Sequence, residues 1–485
     1  LVLVHGFRGC ESYSIIVHEL VPDDDVFAPA GRLPMTVRAI SAAVLTLFFG
    51  VLAAAQQLTL DEAVRLAMET HPSLRAADSG IEVAADRVRQ AKAGRLPQLQ
   101  FTETFARSNN PVFAFGSLLE QNRFAAENLT LSSLNDPASV NNFRALLSSR
   151  FPLFDGRQTS SRVAQAEAHG EVAAGQRLAL EQRLRYEVVR SYHEIALAEA
   201  LRAAAARAVS AAEADATLAR SRRDAGVAVD GDVLAAEVQV ADSRRRQIQT
   251  EGDVAIAIAE LNSLIGRPFD SPLVITPTLT RTFTVALPEE LQRTAVSERP
   301  DLKASRALVS AAAAATREQR AESLPRVEVF ANTGLSSRSV LPGSTDYTVG
   351  ASVAFSIFDA GRNARAAERR HAEAMVEAEH REKERQIRLE VLRARQAVVT
   401  ASEQIRAAAV SAAQAREALR ITEDRYREGL ATITAVLRAQ ADVSRAETNE
   451  IAAQHAYITG YAALLLSTGA LTDVRPFTVD AAQGR

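Results

Sequence analysis

Few side chains in this sequence stand where covalent chemistry could be done. Cys10 is the only cysteine, and the eight histidines are scattered without ligand spacing. His5-Gly6-Phe7-Arg8-Gly9 has the glycines of a loop that could hold an oxyanion. No Gly-x-Ser-x-Gly turn follows to present a nucleophile, so a hydrolase is set aside. There is no phosphate-cradling glycine loop and no metal-ligand cluster, and a net charge of −3 offers nucleic acid no basic field. No catalytic residue, metal, cofactor or nucleic-acid partner is therefore expected. What stands out is a pair of charged segments, each centred on a glycine. One runs from Arg222 to Leu234 through Gly226, Val227 and Asp232; the other runs from Arg425 to Leu437 through Tyr426, Gly429 and Leu430. Glycine permits a tight turn between helices and a close approach of another backbone. A plain helix-terminating glycine is the competing reading, and the residues alone leave both open.

Two long runs carry these turns. No proline occurs between Pro152 and Pro268, or between Pro342 and Pro476. Residues 157–225 and 362–428 read as single helices, each roughly 100 Å long at 1.5 Å per residue. In the second, Ile387, Val391, Ala394, Val398, Ala401, Ile405 and on to Tyr426 recur with alternating spacings of four and three. That pattern keeps one seam against a partner helix, and its many alanines let backbones come close. From this feature alone an inert spacer coiled coil is an equal alternative. Return helices follow at 232–265 and 431–467.

Met35–Ala55 carries Arg38, an apolar run and Ala53-Ala54-Ala55, the layout of a secretory signal peptide. Residues 1–34 then read as an upstream extension, with the mature chain starting near Gln56. From there the sequence repeats. HPSL at 71–74 answers RPDL at 299–302, and Leu96-Pro97 answers Leu324-Pro325, both 228 residues apart. Gly226 answers Gly429 and Gly266 answers Gly469, both 203 apart. The offset falls by 25, so the first hairpin should carry an extra loop of that length. The first repeat spans 56–268, with a helix, a β-hairpin at 97–154, the long helix and its return. A linker (269–287) leads to the second repeat at 288–470, with its hairpin at 325–358, and 471–485 is a tail. Each pre-hairpin helix plus a return helix equals one long run, so these should stack end to end beside it, giving four columns per chain.

Of eighteen phenylalanines, eleven lie in the hairpin segments, and none lies between Asp155 and Pro268 or between Asp359 and Pro476. Leu99, Phe101, Glu103 and Phe105 alternate with Gln98, Gln100, Thr102 and Thr104. Tyr347, Val349, Ala351, Val353, Phe355 and Ile357 likewise share one strand face. Apolar-out, polar-in strands of about ten residues suit the wall of a membrane barrel; a small soluble sheet burying that face is the alternative. Four strands cannot close a barrel, and open edges are not tolerated in lipid. In a membrane, several chains would have to share one barrel.

With these features in order, the mature chain resembles the TolC-type outer-membrane efflux proteins. The residues carrying the resemblance are the HPSL/RPDL pair, the Leu-Pro strand entries, FDG at 154–156, FDAG at 358–361 and the two glycine segments. The fold it implies is mainly helical with a small β part: a long α-helical coiled-coil barrel with four membrane strands per chain, duplicated internally and closed as a trimer. It implies an outer-membrane location with a periplasmic helical tunnel and a non-enzymatic role, as a passive exit duct for small molecules or proteins. The implied partners are two sister chains, outer-membrane lipid, a periplasmic adaptor and, through it, an inner-membrane pump. Gly226, Val227, Gly429 and Leu430 match the turns that contact the adaptor. Asp232 and Tyr426 match positions that constrict the closed tunnel. Where relatives of the best-known type carry acidic rings this chain has Ala435 and Arg438. The charge at the second is reversed, so the family's cation preference does not carry over, and Arg438 is expected in the constriction as a possible partner of Asp232. The reading of a different class is a periplasmic coiled-coil scaffold with a soluble sheet.

Overall fold

The structure, a computed structural model, describes residues 57–275, 279–340 and 342–478. The extension at 1–34, the signal peptide at 35–55, Cys10 and the His5–Gly9 loop lie outside those residues, as does the end of the tail.

The chain enters through α1 (Leu60–Thr70), whose first turn is capped by Thr59 Oγ1 accepting from the Glu62 amide at 3.3 Å. Pro72 cannot continue a helix but suits the first turn of a new one, so α2 (Pro72–Ala93) begins there. Strand β1 (Gln98–Ser108) leads into a loop holding α3 (Pro111–Glu120) and α4 (Leu131–Asn135). Strand β2 (Val140–Phe154) comes back to α5 (Gln158–Asp224), a helix of 67 residues, and α6 (Asp230–Leu264) returns. Asp155 Oδ2 caps α5 by accepting from the Thr159 amide at 2.7 Å. The second repeat is α7 (Pro288–Glu298), α8 (Pro300–Ala321), β3 (Arg326–Ser337), β4 (Ser344–Ala354), α9 (Arg362–Arg427, 66 residues) and α10 (Ile433–Thr468).

The end-to-end stacking occurs twice, through equivalent glycines. Gly266, just past α6, abuts Thr70 at the α1–α2 junction, and Thr70 Oγ1 donates to Ile265 O at 3.1 Å. Gly469, just past α10, abuts Arg299 at the α7–α8 junction, and an added Cβ would come within 3.0 Å of the Arg299 backbone. Both glycines hold positive φ, 73° in each case, so the helix end and the contact both demand glycine. The largest apolar core lies at this level, where Leu60, Val64, Val188, Ile195, Leu261 and Ile458 pack together.

The sheet is antiparallel in the order β1-β2-β3-β4, leaving β1 and β4 as edges. The pre-hairpin and long helices meet it at one end, and both hairpin connections, the first carrying α3 and α4, lie at the other. The first connection has 31 residues (109–139) and the second six (338–343); the difference of 25 is the shift in repeat offset. Pro152 cannot donate to a ladder, and the register slips between Pro152 and Phe154. The slip flips the alternation, so Phe151, opposite Val329, and Phe154, opposite Val327, stay on the same face. Two expectations need correction here. Strand β4 lies three to four residues earlier than the sequence alternation suggested, because pairing with β3 ends at Arg326–Ala354, leaving Phe355–Phe358 in the connection to α9. The β1–β2 segment also contains a helix, α3, that was expected as loop.

Candidate functional site: helical tips and the exposed sheet face

Gly226 and Gly429 end the two long helices with φ of 77° and 79°, a conformation that costs an ordinary side chain energy. Space around both is open: nothing stands within 4 Å of an added Cβ at Gly226, and the nearest atom at Gly429 is Arg222 Nη2 at 3.8 Å. Within one protomer the backbone conformation, and no close contact, requires glycine. Val227 and Leu430 follow these glycines and stand 62% and 65% exposed. Apolar side chains are thus presented to solvent at the end of each long hairpin.

Behind the turns the two hairpins are fastened together. Tyr426, only 4% exposed, packs with Ile433 and Val436, with Leu218 alongside. The Arg222 guanidinium lies over its ring at 4.7 Å, a cation–π contact, and Arg222 Nη1 donates to Arg427 O at 3.1 Å. Within the protomer the Tyr426 ring is interior, held between the ends of the two hairpins. Asp232 Oδ2 accepts weakly from the Val229 amide at 3.4 Å, starting its own helix. Arg438 is exposed, and among the described residues no ion pair joins it to Asp232 within one protomer.

One more clasp lies deeper. Asp215 on α5 is buried and accepts from the Gln440 amide on α10. Burial pushes its carboxyl up to about 6; the Gln440 bond opposes this, Glu423 adds to it and Arg427 counters it. Sequence reasoning missed this residue. The available signal was an acid set in the alanine stripe of Ala212, Ala216 and Ala219, all buried.

At the sheet, Phe101 is 67% and Tyr347 82% exposed, and Leu99, Val349 and Val353 share the same face. Phe105 and Phe143 pair across strands with ring centres 4.6 Å apart. Among the described residues nothing covers Leu99, Phe101, Tyr347, Val349 or Val353, each more than half exposed. The other face is polar, with Arg144 joined to Glu120 at 2.6 Å and to Asp346 at 3.2 Å. Among the described residues, no group of three or more acidic or histidine side chains converges as metal ligands would.

An apolar, uncovered sheet with two open edges, standing on roughly 100 Å of paired helices, defines a subunit of a shared membrane barrel continued by a helical duct. The chain belongs to the outer membrane efflux protein family, which matches residues 63–267 and 291–470. It is an outer-membrane efflux channel, a transport protein and not an enzyme, and channels of this family form trimers. It is 24% identical over 432 residues to the outer membrane efflux protein BepC of Brucella suis, covering 86% of this chain and 87% of that one. It is 29% identical over 274 residues to Protein CyaE of Bordetella pertussis, of which it spans 53%, about half the length. Among solved structures, the fold matches the outer-membrane channel OprN with a TM-score of 0.72 at 20% identity, over 85% of this chain and 90% of that one. It matches VceC of Vibrio cholerae with a TM-score of 0.72 at 19% identity, over 84% and 96%. The scaffold with a soluble sheet is set aside: that reading needs the apolar face buried, and it is bare.

Proposed function

We propose that three copies of this chain form the exit duct of a tripartite efflux or type I secretion assembly. A periplasmic adaptor docks on the tips and an inner-membrane pump delivers cargo through it. The observation that carries this is the exposure of Val227 and Leu430 beside two positive-φ glycines, at the end of the helices remote from the sheet. Glycine leaves room for an incoming backbone, and the flanking apolar side chains offer area to bury. Gly226, Val227, Gly429 and Leu430 are the adaptor contacts in this reading. Asp232, Tyr426 and Arg438 set the constriction: Tyr426 by bracing the hairpins, Asp232 and Arg438 by the charge they bring to the ring of tips. Pairing of Arg438 with Asp232 would run between sister chains.

The test is complementation of efflux in cells lacking the native channel. Val227→Asp with Leu430→Asp should leave heat-modifiable trimers in the outer membrane and abolish drug resistance or protein export. Full resistance with both substitutions in place would overturn the assignment of the tips.

A further inference from the structure

The helix found inside the β1–β2 connection is held on the polar face of the sheet, at the end remote from the long helices. Ala114, Ser117 and Gln121 fall along one side of α3 and its first following residue, and all three are buried. The Gln121 amide nitrogen lies 2.8 Å from Asn141 O, 2.9 Å from Asn142 Oδ1 and 3.3 Å from Ser337 O. Its two hydrogens can serve two of these acceptors at a time. Glu120 accepts from Ser336 Oγ at 3.1 Å and pairs with Arg144, which also reaches Asp346. Arg144 lies opposite Ser336 in the ladder, and neither belongs to the row of Phe143, Leu147 and Leu335. The contacts are therefore made on the polar side of the sheet, which in a barrel faces the lumen.

We infer that the β1–β2 loop is an exit constriction: pinned by Glu120 and Gln121 inside the barrel mouth, its three copies narrow the outlet on the cell's outer side. This rests on the trimeric channel reading above. Three four-stranded sheets give twelve strands, and at about 4.8 Å spacing and about 40° tilt they close a ring roughly 24 Å across. A helix is about 10 Å thick, and three packed about an axis fill a circle roughly 22 Å wide. The connection between β3 and β4 has only six residues and contributes no such element. The clasp is polar and partly open to water, so the constriction can be released without disturbing the apolar wall.

The test is size-selective labelling on intact cells, with Cys10→Ser removing the only native cysteine. Gln100→Cys places a thiol on the polar face, near the helical end of β1, beyond the constriction for a reagent arriving from outside. A small membrane-impermeant maleimide should react with it. A polyethylene-glycol maleimide of several kilodaltons should react at least about tenfold more slowly than at the exposed loop position Leu131→Cys, as expected for passage through a narrowed pore. Adding Glu120→Ala and Gln121→Ala should bring the large reagent close to the loop rate. Gln121→Ala alone, which leaves the charges in place, should give an intermediate rate. An unchanged large-reagent rate in correctly assembled trimers of the double variant would overturn the constriction. Failure of the small reagent at Gln100→Cys even with the loop released would instead overturn the channel reading beneath it.

Discussion

At the scale of single residues, two buried titratable groups act with opposite signs. Asp215 has its carboxyl raised to about 6, chiefly by burial. An unfolded aspartate releases its proton near the ordinary value of 3.8, so between pH 4 and 6 the folded tip binds more protons than the unfolded chain. The buried Asp215 contact with α10 is therefore most stable at the acid end of that window and loses stability as pH rises through about 6, because the carboxyl must then ionise in a buried site and the Gln440 bond offsets only part of that cost. Channel conductance in planar bilayers should fall on acidification from neutrality to pH 5. Asp215→Asn should flatten the profile and hold the low-conductance state at pH 7; an unaltered profile would exclude Asp215 as its source. His193 behaves in reverse. It is 1% exposed with Nδ1 2.8 Å from Val189 O, and burial lowers its pKa to about 4. The unfolded imidazole takes a proton near 6.5 and the folded one does not, so stability is lost as pH falls from 6.5 toward 4, by roughly 3 kcal/mol at most. Thermal unfolding of the detergent-solubilised protein should show that slope. His193→Gln should reduce the slope whatever it does to the midpoint at pH 7.

At the scale of elements, the two glycines inside α5 separate close packing from simple tolerance. An added Cβ at Gly175 would lie 2.9 Å from both Ala304 Cβ and Pro300 O, on the backbone-proximal face of α8. Gly175→Ala should cost about 1–3 kcal/mol by forcing two helices apart. Gly170 has nothing within 4 Å, and Gly170→Ala should add about 0.5–1 kcal/mol by removing freedom from the unfolded chain. Helical signal followed by circular dichroism on heating would distinguish them, and equal midpoints would contradict the contact. The long helices were legible because proline is missing over more than a hundred residues around each and, in the second, the four-three seam never slips. That seam includes Tyr426, and its burial within the protomer follows the seam. Helix α3 escaped notice because ten residues rich in Phe, Gly and Leu give little periodicity. Its start was nevertheless written as Asn110-Pro111, with Asn110 Oδ1 accepting from the Phe113 amide at 3.2 Å. Part of the contact of that helix with the sheet joins residues more than 200 positions apart, such as Gln121 and Ser337, which no local pattern announces.

At the scale of the whole molecule, everything depends on which face of the sheet meets lipid. The duplication, the aromatic placement and the insufficiency of four strands could all be read from the sequence; the open edges β1 and β4, which must find partners on sister chains, came from the strand order. Phe101 and Thr102 are neighbours on β1, both exposed, pointing to opposite faces. An arginine on the lipid face near the middle of a membrane strand costs about 2–4 kcal/mol, and threefold symmetry multiplies this to roughly 6–12 kcal/mol per trimer. Phe101→Arg should therefore strip heat-modifiable trimers from the outer-membrane fraction. Thr102→Arg puts the same charge into a water-filled lumen and should leave trimers intact while changing conductance. Equal loss of trimers in both variants would mean that the two faces do not differ in solvent. Loss confined to Thr102→Arg would mean that the polar face packs against protein, and the barrel, the duct and the exit constriction would fall together.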